Sequence, residues 1–257
     1  MKKYILDMRV VENVRLHDRY CLLKLTDNKR LPEILPGQFV QVRVDGSDQI
    51  FLRRPISVNY VDKETNTLWL LVQIVGEGTR KMAERISGDT VNLILPLGNG
   101  FSAPAQNSGI LLIGGGVGTA PLLFMGKMLK NSGFTPEFLL GGRSANDIMQ
   151  IPEFEQFGNV YLTTEDGSAG EKGFVTHHSV LGKKKFDKIY TCGPRPMMMA
   201  VAKYAKNQNI DCEVSLENMM ACGFGTCLCC VEKTVRGNVC TCTEGPVFNI
   251  NQLKWQI

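Results

Sequence analysis

Short runs of Val, Ile, Leu and Tyr, separated by turn residues, cover the first hundred residues of the chain. Such runs predict β-strands, here at positions 4–12, 20–26, 38–44, 56–61, 68–75 and 90–95. Pairs such as Pro36-Gly37 and Asp45-Gly46 are typical of the turns between them. One helix is predicted at 79–86. Because six short strands follow each other so closely, residues 1–100 are predicted to form a small antiparallel β-barrel.

The pattern changes after a polar stretch at 96–108, where we place a domain boundary. Residues 109–113 are continuously apolar, as in a parallel strand that is buried on both faces. Further strands are predicted at 137–140, 160–164, 188–191 and 212–215. They alternate with predicted helices, of which the first runs from Pro121 to Lys130 and the others lie at 176–181 and 196–207. Alternation of this kind predicts a doubly wound parallel sheet with α/β topology in residues 101–215.

The remaining residues, 216–257, contain six of the nine cysteines of the chain. Cys222, Cys227 and Cys230 have the spacing C-x4-C-x2-C, which is the plant-type ligand pattern of a [2Fe–2S] cluster. Gly223 and Gly225 allow a backbone to curl around such a cluster, because glycine permits close approach and positive φ. The fourth thiolate could come from Cys240 or Cys242, and spacing alone does not decide between them. We prefer Cys242, and we expect Cys229 to point away from the cluster.

Three other interpretations of these cysteines are less favoured. Structural zinc is usually bound by two C-x2-C or Cys/His pairs, and this segment has one clear C-x2-C. Disulfides are disfavoured because the cysteine count is odd and because Asp7 and Arg9 interrupt any apolar core of an export signal. Six inert thiols among glycines within positions 222–242 are improbable. The predicted location is therefore the cytoplasm, which keeps thiols reduced.

The composition and charge of the chain exclude few other classes of function. Hydrophobic residues make up 44% of the chain and charged residues 21%, as in ordinary soluble proteins. The net charge of +4 is too small and scattered to indicate a nucleic-acid partner, and the Lys183–Lys185 run is interpreted as a solvated loop. The three histidines are interpreted as surface or loop residues: His17, His177 and His178.

Two stretches of the predicted barrel are candidate phosphate sites. In Arg53-Arg54-Pro55-Ile56-Ser57 a guanidinium can present its planar fork of donors to a diphosphate. In Gly76-Glu77-Gly78-Thr79 the chain enters a helix, whose first amides bind phosphate while Thr79 can cap the helix. Each stretch alone is equally compatible with a turn. Together, in one barrel, they predict a bound flavin nucleotide.

Two stretches of the predicted α/β domain are candidate sites for a dinucleotide. The run Gly114-Gly115-Gly116-Val117-Gly118-Thr119 lies between a strand and a helix but does not fit G-x-G-x-x-G. The run Thr191-Cys192-Gly193-Pro194 lies at the carboxyl end of a strand, where open α/β sheets bind ligands. A structural turn is the alternative for both.

These motifs together resemble those of the ferredoxin–NADP⁺ reductase superfamily: R-P-x-S and G-x-G-T in the barrel, then GGGxGxxP and CGP. The cysteine pattern and the tail Glu244-Gly-Pro-Val-Phe248 narrow the resemblance to the electron-transfer subunits of class 1B dihydroorotate dehydrogenases. The resemblance covers essentially the whole chain, and the block from Met220 to Phe248 is its most specific part.

The resemblance implies a role for particular residues. It implies FAD binding by Arg54, Pro55, Ile56 and Ser57, by Leu71, Val72 and Gln73 along the isoalloxazine, and by Gly78 and Thr79 at the diphosphate. It implies NAD binding near Gly115, Gly116, Gly118, Thr119, Cys192, Gly193 and Pro194. It implies cluster ligation by Cys222, Cys227, Cys230 and Cys242, the last because it stands two residues before Glu244. No acid–base residue is expected to act in this chain.

The resemblance also implies a function in pyrimidine biosynthesis. Electrons from the FMN of a catalytic subunit that oxidises dihydroorotate are expected to pass through the [2Fe–2S] cluster and FAD to NAD⁺, in a heterotetramer with two copies of each subunit. The alternative is the small subunit of a ferredoxin:NADP⁺ oxidoreductase or sulfide dehydrogenase complex. NAD rather than NADP rests on the resemblance alone, because Arg143 and Ser144 could meet a 2′-phosphate whereas Asp166 would suit an unphosphorylated ribose.

Overall fold

The computed structural model describes residues 2–257. The chain contains sixteen strands over these residues, with the following bounds: β1 Tyr4–His17, β2 Tyr20–Thr26, β3 Phe39–Val42, β4 Arg54–Ser57, β5 Tyr60–Asp62, β6 Thr67–Gln73, β7 Thr90–Leu97, β8 Ile110–Gly115, β9 Glu137–Gly142, β10 Asn159–Thr164, β11 Glu171–Lys172, β12 Lys188–Cys192, β13 Asp211–Ser215, β14 Val231–Thr234, β15 Gly237–Cys240 and β16 Val247–Asn249.

Six α-helices lie between these strands: α1 Glu77–Ala83, α2 Ala120–Asn131, α3 Ile151–Glu155, α4 Val180–Lys183, α5 Arg195–Asn207 and α6 Thr241–Glu244. Four further segments are single 3-10 turns: Gly116–Thr119, Ala145–Asp147, Val175–His177 and Ile250–Gln252. None of the helices in residues 2–257 has the length and apolar character needed to cross a membrane.

The first seven strands form one curled antiparallel sheet in the order β4-β3-β7-β1-β2-β6-β5. Its edge strands β4 and β5 follow each other in the chain, so the two edges of the sheet lie side by side. The amide of Val58 donates to the carbonyl of Gln38 (3.0 Å) and that of Asn59 to the carbonyl of Trp69 (3.0 Å), which ties both edges together. The predicted barrel is confirmed, with one difference: the single strand predicted at 56–61 is two strands, divided at Val58 and Asn59.

The barrel closes because its strands carry apolar residues on the inward face. Met8, Val10, Leu23 and Leu25 are all fully buried in one core with residues of β3, β6 and β7. At about 25 cal/mol per Å² of apolar surface removed from water, such burial is the main stabilising contribution.

The second sheet has the order β11-β10-β9-β8-β12-β13-β16. Its first six strands are parallel, and β16 is antiparallel to β13. From β8 the chain builds outward through β9, β10 and β11, and then returns to add β12 on the other side of β8. The doubly wound topology is therefore confirmed, and its switch point lies between β8 and β12. The last, antiparallel strand was not predicted.

Both faces of this sheet are covered, which explains the continuous apolar run of β8. Ile110 and Leu112 pack in the cluster that contains residues of α2, whereas Leu111 and Ile113 pack in the cluster that contains residues of α5. The helix predicted at 176–181 is instead the 3-10 turn Val175–His177 followed by α4.

The cysteine-rich segment lies between the two sheets. A loop after β13 contains Cys222, Cys227 and Cys230, a hairpin of β14 and β15 follows, and β16 then joins the second sheet. The segment also binds the barrel, because the amide of Asn99 donates to the carbonyl of Gly245 (2.6 Å). The predicted division at residues 100 and 215 stays a prediction, and the last segment shares contacts with both preceding parts.

Candidate flavin, nicotinamide and cluster sites

The two adjacent arginines before β4 have different roles. The Arg53 guanidinium donates to the carbonyl of Asn92 (3.1 Å) and to that of Gln41 (3.3 Å), so it is bound to strands β7 and β3. Arg54 instead lies against the other candidate phosphate segment, since a Cβ built on Gly78 would be 2.8 Å from Arg54 Nε. The fold therefore brings the two predicted diphosphate segments together and leaves one guanidinium there.

Thr79 serves the turn that presents this site. Its Oγ1 accepts from the amides of Val75 (2.9 Å) and Gly76 (3.1 Å) and donates to the carbonyl of Gly76 (3.0 Å). The helix begins two residues earlier than predicted, so the N-cap is Gly76, and Thr79 contributes to the cap as the third helical residue, whose hydroxyl accepts from the N-cap amide. Because the hydroxyl is occupied in this way, Thr79 shapes the start of α1 rather than offering a free donor.

The end of β6 connects the barrel to the second sheet. Leu71 and Val72 are buried, while Gln73 is half-buried and donates from Nε2 to the hydroxyl of Tyr20 (3.0 Å). Tyr20 lies near the glycine turn, since its hydroxyl would be 3.9 Å from a Cβ on Gly116. The strand predicted to lie along a flavin thus ends at the predicted nicotinamide segment.

Two turns meet at the switch point of the second sheet. A Cβ on Gly118 would lie 2.4 Å from the Cα of Gly193, and one on Gly115 would lie 2.5 Å from Met197 Sδ. Close backbone approach therefore requires glycine at position 118, whereas the atom nearest to Gly115 belongs to the flexible Met197 side chain. The α/β topology predicts a ligand at this place.

A cleft of about 750 Å³ opens above these turns. Of the predicted nicotinamide residues, five line it: Gly115, Gly116, Gly118, Gly193 and Pro194. Thr119 and Cys192 are buried in its wall, where the Thr119 hydroxyl donates to the carbonyl of Gly116 (3.0 Å). Burial raises the pKa of Cys192 well above its ordinary value, so it is a neutral thiol.

Several residues of the cleft were not found from the sequence: Arg19, Tyr20, Asp147, His177 and Glu217. They stand outside any motif, at the ends of elements that only the fold brings together. Arg19 and Asp147 form an ion pair across the mouth of the cleft (2.7 Å).

The interpretation of the histidines needs correction at one position. His177 is exposed, as interpreted, and lines the cleft. His178 is buried rather than at the surface, accepts at Nδ1 from the amide of Val180 (3.1 Å), and lies 3.6 Å from a carboxylate oxygen of Glu171. It belongs to a separate cavity of about 490 Å³ that contains none of the predicted site residues.

The cleft is lined by side chains of both signs of charge next to the residues considered for the choice between NAD and NADP. Arg143 and Glu165 line it. The amide and hydroxyl of Ser144 are already directed at the Asp147 carboxylate. Asp166 accepts from the hydroxyl (2.6 Å) and amide (2.9 Å) of Ser168, and these bonds hold its pKa below the ordinary value. Of the three residues considered from the sequence for the choice between NAD and NADP, Arg143 lines the cleft, with the unpredicted Glu165, whereas Ser144 and Asp166 do not line it.

The cysteine loop directs backbone amides at a sulfur. Cys222 Sγ lies 3.5, 3.3 and 3.5 Å from the amide nitrogens of Phe224, Thr226 and Cys227. Gly223 (φ +80°) and Gly225 (φ +92°) provide the left-handed backbone that this curl requires. Burial raises the pKa of Cys222, but the three amides together with a hydrogen bond to the Cys227 side chain outweigh it and lower that pKa to about 6.

The second half of the ligand set lies under the loop. The amide of Cys242 is 3.4 Å from Cys230 Sγ, and both side chains are buried against Phe39 and Leu97 of the barrel. Burial, followed by the neighbouring Cys230 sulfur, raises the pKa of Cys242 to about 12. Cys240 also contacts this group but is more exposed.

The donor chemistry of this segment fits an iron–sulfur cluster. Within residues 2–257 no three His, Cys, Asp or Glu side chains already stand in the geometry of a metal-ion site. The converging donors are nevertheless all sulfur, with amide N–H groups aimed at Cys222 Sγ. Hydrogen bonds to sulfur are a feature by which proteins tune iron–sulfur clusters, whereas the segment lacks the paired pattern of structural zinc.

Two family models match parts of the chain. The model described as the iron–sulfur cluster binding domain of dihydroorotate dehydrogenase B matches residues 217–254. The model described as the oxidoreductase NAD-binding domain matches residues 112–203.

Similar curated proteins carry one description: dihydroorotate dehydrogenase B (NAD(+)), electron transfer subunit. The protein of Fusobacterium nucleatum is 37% identical over 252 residues, covering 94% of this chain and 95% of its own. That of Listeria monocytogenes serovar 1/2a is 36% identical over 255 residues, covering 96% and 98%. That of Shouchella clausii is 38% identical over 225 residues, covering 85% and 86%.

Solved structures share the architecture. A chain from the structure of an NADH-dependent reduced ferredoxin-NADP oxidoreductase, described in connection with flavin-based electron bifurcation, superposes with a TM-score of 0.85 at 30% identity, covering 96% of this chain and 90% of that one. The cytochrome b5 reductase domain of Ulva prolifera nitrate reductase, at 17% identity and a TM-score of 0.66, shares the fold.

Proposed function

This chain belongs to the family of the electron transfer subunits of dihydroorotate dehydrogenase B, and we propose that one barrel surface, one cleft and four cysteines carry its electron transfer. It is an oxidoreductase subunit of pyrimidine biosynthesis whose cofactors are FAD, a [2Fe–2S] cluster and NAD. The observation that supports the proposed site best is the packing of Cys230 and Cys242 on Phe39 of β3, the strand paired with β4, which contains Arg54–Ser57.

The barrel surface is proposed to bind FAD. Arg54 would hold the diphosphate beside Gly78, whose missing Cβ leaves the room for it. The remaining proposed contacts are listed by element: Pro55, Ile56 and Ser57 on β4, Leu71, Val72 and Gln73 on β6, and Thr79 on α1. Because Arg53 is hydrogen-bonded to β3 and β7, the start of β4 is held in a fixed position next to Arg54.

The cleft is proposed to bind the nicotinamide nucleotide. Gly115, Gly116, Gly118, Gly193 and Pro194 would let it approach the backbone at the switch point, with Thr119 and Cys192 behind them. Tyr20 and Gln73 close the cleft from the barrel side. They would place the nicotinamide at the end of β6, next to the proposed flavin strand.

The proposed ligands of the cluster are Cys222, Cys227, Cys230 and Cys242. When bound, the cluster would carry single electrons and the flavin would exchange a hydride with the nicotinamide. The chain itself supplies position and environment: amides near Cys222 Sγ favour its thiolate, and Phe39 and Leu97 exclude water from Cys230 and Cys242.

The proposed partner is a catalytic subunit that contains FMN and oxidises dihydroorotate, in a heterotetramer of two plus two chains. Exposed apolar side chains lie within the cysteine loop and at its two ends, which supports a docking surface there: Met219, Phe224, Leu228 and Val231. Isolated apolar side chains at a surface are common, but a group of them indicates an interaction site. A cytoplasmic location is part of the proposal, because the ligand thiols must stay reduced.

The first experiment is an absorbance spectrum of the pure protein, handled without oxygen, with iron, sulfide, zinc and flavin assayed on the same sample. We expect about one FAD, two irons and two sulfides per chain, which is the content of a chain that binds one flavin and one [2Fe–2S] cluster. Zinc without flavin would overturn the electron-transfer proposal.

A second experiment separates the cluster from the flavin. Cys227→Ser removes one proposed ligand at an exposed position of the loop. We expect dihydroorotate-dependent NAD⁺ reduction with the catalytic subunit to be lost, while NADH oxidation by an artificial acceptor through FAD is kept. Loss of both activities would mean that the cluster is needed for folding.

The alternative function remains testable through the partner. The similarity to a chain of the NADH-dependent ferredoxin-NADP oxidoreductase covers almost the whole molecule, but the curated relatives at 36–38% identity favour the dihydroorotate pathway. Formation of orotate with an FMN-containing dehydrogenase would support the main proposal. Activity only with a larger flavin and iron–sulfur subunit would support the alternative.

A further inference from the structure

Gln41 is a fully buried polar residue that is unpartnered in the protein alone. It lies in β3 with no exposed surface, and neither Nε2 nor Oε1 has a hydrogen-bond partner within residues 2–257. Most buried side-chain amides are hydrogen-bonded, because an unpaired buried amide loses its bonds to water and gains nothing in return. An orphaned donor and acceptor on one side chain therefore indicate a group that is missing from the protein alone.

The side chain of Gln41 points at the cysteine loop. A Cβ built on Gly223 would lie 2.6 Å from Gln41 Cγ and 2.7 Å from Gln41 Nε2. Gly223 directly follows Cys222, the residue whose sulfur receives the loop amides. Phe39, two residues before Gln41 and hence on the same face of β3, packs against Cys230 and Cys242. This face of the strand is therefore the floor of the cysteine segment.

The same face continues onto the proposed flavin segment. Gln41 is opposite Pro55, and Phe39 is opposite Ser57, in the antiparallel register of β3 and β4. Directly opposite residues of an antiparallel pair project to the same side of the sheet. Gln41 thus lies between the cysteine loop on one side and the flavin segment on the other.

We propose that Gln41 is a positioning residue that donates an N–H hydrogen bond from Nε2 to a sulfur of the bound cluster and holds the cluster loop on the flavin side of the barrel. The inference rests on the proposed cluster and deepens it. A donor aimed at a cluster sulfur stabilises the reduced form, which has one more negative charge. Gln41 therefore raises the reduction potential of the cluster without touching the flavin.

The test compares the holoenzyme with Gln41→Leu and Gln41→Glu. Leucine keeps the volume but has no N–H, and glutamate places an acceptor-only group where the donor was. In redox titrations followed by electron paramagnetic resonance, we expect the cluster potential of both variants to shift downward and the g-values to change. The FAD spectrum and the rate of FAD reduction by NADH are expected to stay as in the wild type. Gln208→Leu, at an exposed position after α5, is the control.

Unchanged potential and g-values in fully loaded Gln41→Leu would overturn the proposal and assign Gln41 to packing. If that variant does not load iron, Gln41→Met, which is flexible and of similar length but has no N–H, is measured with the same two outcomes. Loss of the cluster from both variants with FAD retained supports the proposal, whereas loss of FAD as well overturns it. Absence of iron and sulfide from the wild type would instead refute the proposed function.

Discussion

Two cysteines in the same turn of chain compete for the position of fourth ligand, and their environments differ. Cys242 is buried beside Cys230 in contact with the barrel, whereas Cys240 lies at the more exposed end of β15. A buried thiolate is stabilised only when a metal or a hydrogen bond compensates its charge. This favours Cys242 as the fourth ligand, because a bound cluster would compensate the charge of its buried thiolate.

Replacing each of these two cysteines in turn tests the ligand set. Cys242→Ser is expected to lose most of the iron and the visible cluster absorbance, while Cys240→Ser keeps both, because Cys242 is the thiol buried beside Cys230 and Cys240 lies at the more exposed end of β15. The measurement is iron per FAD in anaerobically purified protein. A cluster that survives in Cys242→Ser and disappears in Cys240→Ser would assign the fourth ligand to Cys240.

Gly118 is a second position at which one added carbon atom is expected to weaken nucleotide binding. In Gly118→Ala the new Cβ would lie 2.4 Å from the Cα of Gly193, so one of the two interlocking turns must move. Overpacking of this kind costs about 1–3 kcal/mol, and we expect the dissociation constant of NADH to rise about tenfold, since 1.4 kcal/mol is a factor of ten.

The readout for Gly118→Ala is a fluorescence or absorbance titration with NADH, with FAD content measured in parallel. Gly182→Ala is the matched control, because a Cβ there has no neighbour within 4 Å. Equal NADH affinity in wild type and Gly118→Ala would show that this turn is not part of the nucleotide site.

At the scale of elements, the two arginines at the start of β4 have different functions. Arg53 binds main-chain carbonyls and the Asn92 side chain on the face of the sheet away from the apolar core, and Arg54 faces the loop before α1. The alternation follows from the strand geometry, in which successive side chains point to opposite faces. One arginine therefore holds the element and the other serves the proposed ligand.

The pair Arg53→Gln and Arg54→Gln separates these functions. Arg53→Gln is expected to lower the free energy of unfolding by about 1–3 kcal/mol, because hydrogen bonds to buried carbonyls are lost. Arg54→Gln is expected to keep the fold and raise the FAD dissociation constant about tenfold or more, since a bond to a charged group contributes about 1.5–3 kcal/mol.

Denaturant unfolding and FAD titration of the two variants provide the measurements. The result that would contradict the assignment is the reverse one, in which Arg53→Gln releases FAD from a stable fold and Arg54→Gln destabilises the protein without affecting FAD.

At the scale of the whole molecule, buried polar contacts set the relation between the barrel and the second sheet. The side-chain amides of Asn59 and Gln150 exchange two hydrogen bonds of 3.0 Å, and Asn59 also donates to the carbonyl of Ala120 (3.0 Å). Gln150 adopts a left-handed conformation (φ +60°) at this contact. The cleft between the two parts is therefore bounded by a fixed joint.

Asn59→Leu tests this joint. It leaves the buried Gln150 amide without its partner, which is expected to cost about 1–3 kcal/mol of unfolding free energy. Arg19→Ala removes the ion pair with Asp147, in which the arginine side chain is half-exposed, and such pairs contribute about 0–1 kcal/mol. Denaturant midpoints of the two variants compare the effects. Equal midpoints would mean that the amide pair does not hold the two parts together.

The sequence predicted the elements and motifs more completely than their assembly. Strand and helix positions followed from apolar periodicity, and β2 was predicted at its observed bounds, because burial on one or both faces leaves a local pattern. The short strand β16 was missed, since three residues carry no periodicity. Tyr20, Gln41 and Glu217 were missed for a different reason: nothing near them in the sequence marks them.

The local sequence specifies the chemistry that the chain can hold: thiols at iron–sulfur spacing, glycines where backbone must approach a nucleotide, and arginines ahead of a strand. These are local properties, because a loop of a few residues creates each one. The tertiary structure determines which arginine lies at the proposed diphosphate site, which glycine turns interlock, and that the cysteine loop packs on the strand beside the proposed flavin segment. Those relations join residues that are far apart in the chain. They arise because the two sheets pack together and the cysteine-rich segment contacts both.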